Sequence, residues 1–196
     1  MNSGKSTALL QAAYNYEERG HAVLLAKPDI DTKGADQIAS RLGMTRTVDF
    51  LLSEAELPYD AFAREAAKVR DATGKSVSCL LVDEAQFLQP HQVDELLRVA
   101  VERGVPVLAY GIRTDFLTHA FPGSARLLEL AHTLEELKTI CRCGRKALFN
   151  GRKVGERFIF DGDQVAIDEL SRESVTYESM CAECYLRESG GRLDGR

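Results

Sequence analysis

The sequence predicts an α/β fold: a parallel sheet flanked by helices, followed by a small module bracketed by cysteines. Three observations lead there. Short apolar runs alternate with helical stretches up to about residue 140. Those runs are apolar throughout rather than at every second position, as expected of strands covered on both faces in a parallel sheet. The pattern then stops near Cys141, and the remaining chain is polar, glycine-containing and marked by two close cysteine pairs.

Each element has its own warrant. Residues 5–19 place Ala8, Leu9, Ala12, Ala13 and Tyr16 at helical spacing, with Gly20 positioned to end the helix. "HAVLLAK" (21–27), before Pro28, reads as a buried strand, and residues 28–47 as a polar, irregular excursion. Residues 48–75 read mainly as helix, broken at Pro58 and closed by Gly74. "SVSCLLVDE" (76–84) is a second buried strand that ends in two acids. "QPHQVDELLRVAVERG" is an amphipathic helix stopped by Gly104. "VPVLAYG" (105–111) is a third strand, "SARLLELA" (124–131) a short helix, and "HTLEELKTIC" (132–141) a last strand. The expected division is an α/β domain over 1–140, a second domain over 141–188 and a flexible tail over 189–196.

Bulk properties narrow the function. The 196 residues are 44% hydrophobic and 28% charged, with a net charge of −5. An acidic chain has no bulk electrostatic reason to seek nucleic acid or an anionic membrane. No apolar run approaches the roughly 20 residues of a membrane helix, and no basic-then-apolar leader is present. A cytoplasmic protein is expected. Of the five cysteines, Cys79 stands alone and the others pair as Cys141/Cys143 and Cys181/Cys184, which favours metal over disulfides.

Two half-motifs point to nucleotide chemistry. "NSGKST" supplies Asn2, Ser3, Gly4, Lys5, Ser6 and Thr7 at a helix start. Backbone N–H groups there can cradle phosphate, Lys5 can reach the outer phosphates, and the Ser6 hydroxyl can ligate magnesium. The first glycine of such a phosphate loop and its strand would lie upstream of Met1, so the natural protein is expected to be longer. A serine-capped helix that happens to spell Gly-Lys-Ser is the plain alternative. The second half is "CLLVDEAQF", where a strand-end Asp83 is placed to hold magnesium and Glu84 to accept a proton from a hydroxyl or a water. The two halves in this order predict a phosphate-loop (P-loop) NTPase-like sheet binding a nucleoside triphosphate. Cys141-x-Cys143 and Cys181-x-x-Cys184 together predict a tetrahedral thiolate site for zinc. That site would staple residues 144–180 at their base as a long loop. Cys79 reads as a small buried strand residue.

The stretches "MNSGKSTALLQAAYNYEERG", "VDEAQF", "YGIRTDF", "ELKTICRCGRKA" and "VTYESMC" occur in that order across nearly the whole chain. Together they resemble the type II thymidine kinases, the zinc-containing family of bacteria and animal cytosol. The resemblance implies transfer of the ATP γ-phosphate to the 5′-hydroxyl of thymidine, with deoxyuridine a second substrate. Glu84 matches the family's proton acceptor, and Asp83 and Ser6 its magnesium positions. ATP binding is implied for residues 2–7, Asp83 and Gln86, a place near the phosphates for Asp31 and Lys33, and charge compensation there for Arg113. In the family a loop strung from the zinc site covers the nucleoside and reads the base through its backbone. Phe87, Phe116, Phe121 and Tyr177 match positions lining that pocket, with plain core packing as the alternative for each phenylalanine. The family also implies a homotetramer. Lys33 stands where the family often has arginine, which keeps the charge and drops the two-pronged donor. A Gly-Gly of the covering loop is replaced around Asp168-Glu169. Two other readings stay open: a nucleic-acid motor, from "DEAQ", and a binding module with a vestigial nucleotide site.

Overall fold

The computed structural model describes residues 4–29, 36–40, 43–162 and 175–193. Asn2, Ser3, Asp31, Lys33 and the Asp168-Glu169 stretch therefore lie outside the described residues. The chain divides into two compact units. One comprises Gly4–Ile112 and Pro122–Leu134; the other comprises the described residues of Arg113–Phe121 and Glu135–Arg196.

In the first unit, helix α1 (Lys5–Glu18) starts from Gly4 at φ 74, a left-handed geometry that glycine adopts without steric cost. Strand β1 (Ala22–Pro28) follows, then β2 (Gln37–Ala39), β3 (Thr45–Thr47) and β4 (Phe50–Leu52). Helix α2 (Pro58–Thr73), strand β5 (Val77–Val82), helix α3 (Pro90–Glu102), strand β6 (Val107–Ala109) and helix α4 (Pro122–Leu130) complete it. Four strands form one parallel sheet in the order β4-β1-β5-β6.

Alternation along β1 and β5 divides their side chains between two cores. Leu24, Ala26, Leu80 and Val82 pack with Ala61 and Phe62 of α2 and with Val93, Leu96 and Val99 of α3. Val23, Leu25, Cys79 and Leu81 pack with Leu9, Leu10 and Ala13 of α1. Each fully buried leucine contributes about 1.5–3 kcal/mol relative to exposure. Both central strands are consumed by packing, so chemistry is left to their ends. Among the described residues, no helix is long and apolar enough to cross a membrane.

Three expectations need correction. Residues 48–75 are not one broken helix: Phe50–Leu52 is a strand paired to β1, and Pro58 opens α2 instead of breaking it. Proline suits the first helical turn, where its missing N–H has no partner to lose. The described part of the 28–47 excursion is not irregular: β2 and β3 pair antiparallel at Ile38↔Arg46. Residues 132–141 form no strand, apart from an isolated bridge between Ile140 and Lys146. Leu134 and Ile140 are 61% and 71% exposed, and among the described residues no strand edge offers this stretch a ladder.

The second unit holds strands β7 (Phe149–Val154), β8 (Arg157–Ile159) and β9 (Val175–Met180), then helix α5 (Ala182–Glu188). The strands form an antiparallel sheet in the order β8-β7-β9. The described part of the segment between the cysteine pairs is thus largely sheet. Its core is small: Cys141, Ala147, Phe160, Met180, Cys181, Cys184 and Tyr185. The Phe149 and Phe160 rings each lie 5.1 Å from that of Tyr185, whose hydroxyl donates to the Phe116 carbonyl at 2.6 Å.

Candidate active site and metal centre

The buried run of β5 delivers two acids at its C-terminal end. Asp83 is 3% exposed. Glu84 takes φ 50 and ψ 36, a left-handed conformation that costs a non-glycine residue about 1–2 kcal/mol. Specific bonds hold it there. The Glu84 N–H donates to Asp83 Oδ1 at 2.9 Å, and the Ala85 N–H donates to the Tyr110 carbonyl at 2.9 Å, beyond the end of β6. A single 3₁₀ turn, Ala85–Phe87, follows. Strain of this kind persists where the surroundings over-determine it, as they do here.

Across the sheet edge, the first residue of α1 meets this turn. Lys5 Nζ lies 3.3 Å from Glu84 Oε2. The Gln86 amide donates to the same oxygen at 2.5 Å, and its own Oε1 accepts from the Ile112 N–H at 3.2 Å. The adjacent acids are driven apart in proton affinity. Burial pushes the Asp83 carboxyl up, and the Glu84 charge pushes it further. Burial also opposes ionisation of Glu84, but the Lys5 ammonium and the Gln86 amide outweigh it and hold that carboxyl below its ordinary range. The arrangement pairs an ionised carboxylate with a lysine at a helix start, where phosphate oxygens are well received. Ser6 and Thr7 follow in the first turn of α1.

Sequence reasoning anticipated Lys5, Asp83 and Glu84, and the structure brings these three together. Phe87 lines a cleft of about 310 Å³ with Pro28, Asp29, Leu52, Glu54, Gln89 and Gln92. Of those lining residues, only Phe87 was anticipated. Arg113, Phe116, Phe121 and Tyr177 belong to the other unit. There Phe116 is 1% exposed, with the Arg152 guanidinium 4.0 Å from its ring centre. Arg152 was missed; a lone arginine in "NGRKV" carries no signal until the strand pairs and Phe116 packs beside it.

The cysteines converge as their spacing suggested. The sulfurs of Cys141, Cys143, Cys181 and Cys184 all lie within 4.8 Å of one another. Cys143 Sγ and Cys181 Sγ are 3.6 Å apart, and Cys181 caps α5 by accepting from the Cys184 N–H at 3.5 Å. A tetrahedral ion with metal–sulfur bonds of about 2.3 Å separates its sulfurs by roughly 3.8 Å, so the quartet fits one. Burial opposes ionisation of Cys141, but backbone N–H groups of Cys143 and Cys181 draw its thiol down to about 6. Burial and the neighbouring sulfurs push Cys184 up to about 12. A divalent cation bound here would stabilise the thiolate form of all four.

A parallel sheet whose strand-end acids meet a helix-start lysine defines a nucleotide-phosphate-binding α/β protein, here joined to a four-cysteine module. The family is narrower than that. This chain belongs to the thymidine kinase family, whose model matches residues 1–185. Similarity to individual members is nearly full-length. A thymidine kinase of Rhodopirellula baltica is 46% identical over 186 residues, covering 92% of this chain and 82% of the relative. One from Ruegeria pomeroyi is 45% identical over 194 residues, covering 97% and 91%. The thymidine kinase of enterobacteria phage T4 is 39% identical over 184 residues, covering 92% and 89%.

Proposed function

We propose that this chain, an ATP-dependent nucleoside kinase, transfers the γ-phosphoryl group of ATP to the 5′-hydroxyl of thymidine, and of deoxyuridine as a second substrate. The observation that carries the reading is the 3.3 Å approach of Lys5 Nζ to Glu84 Oε2, which joins the helix-start phosphate site to the strand-end base. Phosphoryl transfer is chiefly positioning and charge neutralisation. The 5′-oxygen bonds to the γ-phosphorus as the bond to the ADP oxygen breaks, and the hydroxyl proton passes to Glu84. Lys5 turns to the phosphates when nucleotide is present, and Gly4, Ser6 and Thr7 present backbone N–H groups to them. Ser6 and Asp83 would hold magnesium, which neutralises phosphate charge when bound. Arg113 and Lys33 would counter further charge with Asp31 placed beside them near the phosphates, and Phe87, Phe116, Phe121 and Tyr177 would contact the base.

The module over 141–188 is proposed as the zinc-held substrate-covering domain, and residues 1–140 as the nucleotide-binding domain. Zinc is supported by a four-sulfur donor set of tetrahedral size. A homotetramer and a cytoplasmic setting belong to the same proposal, both carried by membership of the family. The test is ADP release measured with no addition, with thymidine and with single-stranded DNA. Release that requires thymidine is expected. Stimulation by DNA alone would mark a motor, and no turnover in any arm would mark a binding module.

A further inference from the structure

The carboxylate of Glu84 is held asymmetrically. Both its donors, Lys5 Nζ and Gln86 Nε2, land on Oε2, and among the described residues nothing hydrogen-bonds Oε1. The two donors differ in kind. Lys5 is a flexible cation that phosphate oxygens attract away, whereas Gln86 is 2% exposed and has no charge to offer them. Its amide cannot turn over. The Ile112 N–H points at Gln86 Oε1, so the reversed amide would set donor against donor and carbonyl against carboxylate.

The anchor is itself braced. The Ser124 hydroxyl donates to the Ile112 carbonyl at 2.7 Å. At Gly111, an added Cβ would lie 3.0 Å from Gln86 Oε1 and 3.1 Å from the Gln86 backbone nitrogen, so glycine keeps room for the amide. A continuous line runs from Ser124 through Ile112 and Gln86 to the carboxylate.

We infer that Gln86 is a positioning residue: its buried amide, fixed on the Ile112 N–H, tethers Oε2 of Glu84 and leaves Oε1 as the oxygen that receives the 5′-hydroxyl proton. The inference rests on Glu84 being the proton acceptor. It gives Gln86 a role at one remove from the nucleotide, in place of the ATP contact that the family resemblance implies for it. Once nucleotide draws Lys5 away, Gln86 is the remaining side-chain tether on the base.

The test is a double-mutant cycle with Glu84→Gln and Gln86→Leu, reading kcat and both KM values. Gln86→Leu removes a hydrogen bond to a charged group, so kcat should fall roughly ten- to a hundredfold. KM for ATP and thymidine should stay within about twofold, because ground-state binding is untouched. Added to Glu84→Gln, the same change should cost no further turnover, since a residue acting only through Glu84 has nothing left to position. Gly111→Ala, which crowds the amide without deleting it, should give a smaller kcat loss that also vanishes in the Glu84→Gln background. It decides the matter should Gln86→Leu fail to fold by its melting profile. Losses that multiply in the double variant would overturn the inference. So would an unchanged kcat, or a raised KM for ATP alone. Wild-type turnover in Glu84→Gln would instead overturn the proton-acceptor reading beneath it.

Discussion

The parallel-sheet unit and the cysteine unit hold themselves together by different means. Among the described residues, the first has fourteen and nine buried apolar residues in its two cores; the second has seven, three of them cysteines. Area burial suffices for the sheet, because β1 and β5 are covered on both faces by long helices. A core as small as the second leaves little surplus over chain entropy, and small folds of that kind commonly rely on a metal. The sheet can therefore hold Asp83 and a strained Glu84 at its edge without outside help. In the cysteine unit, an ion held by the four sulfurs would supply what the small core does not.

Breaking the metal centre should give the largest effect. Structural zinc sites supply an apparent 10–16 kcal/mol or so of folding energy in isolated modules. Cys181→Ser should drop metal content from one ion per chain to near none and speed amide exchange in β7 and β9. Exchange in β1 and β5 should stay slow. Retained metal would mean the ligand set is wrong, and equal loosening of β5 would mean the two units are not distinct in origin of stability.

A deletion in the sheet core comes next. Leu81 is fully buried between α1 and the sheet, and Leu81→Ala should cost about 2–5 kcal/mol in denaturant unfolding. Metal content should not change. A cost under 1 kcal/mol would show that burial is not what holds this unit.

The smallest effect is at a single hydrogen bond. Tyr185→Phe removes the donor to the Phe116 carbonyl and should destabilise the cysteine unit by about 1–2 kcal/mol, with zinc retained. Loss of zinc in this variant would show that the ring packing, not the thiolates, sets the site.

The same contrast explains what could be read from residue order. β1 and β5 were legible because a run apolar at every position has few other uses. Lys5, Asp83 and Glu84 were legible because helix start and strand end each carry a local signature. The cysteine quartet announced itself by spacing. β4 was not legible: Phe50-Leu51-Leu52 blends into a helical period, and its strand character comes only from pairing with β1. Residues 132–141 looked like a strand by composition, yet strand identity needs a neighbouring edge. Gln86 is one polar residue in "DEAQF", and its meaning depends on the Ile112 N–H, 26 residues further on. Non-local partners leave no local mark.

The most direct test of the account is Glu84→Gln, with turnover and thymidine binding measured on the same preparation. The substitution keeps the shape of the side chain and removes the proton acceptor, so kcat should fall by about 10²- to 10⁴-fold while the thymidine dissociation constant barely moves. Turnover equal to the parent, with binding intact, would contradict it.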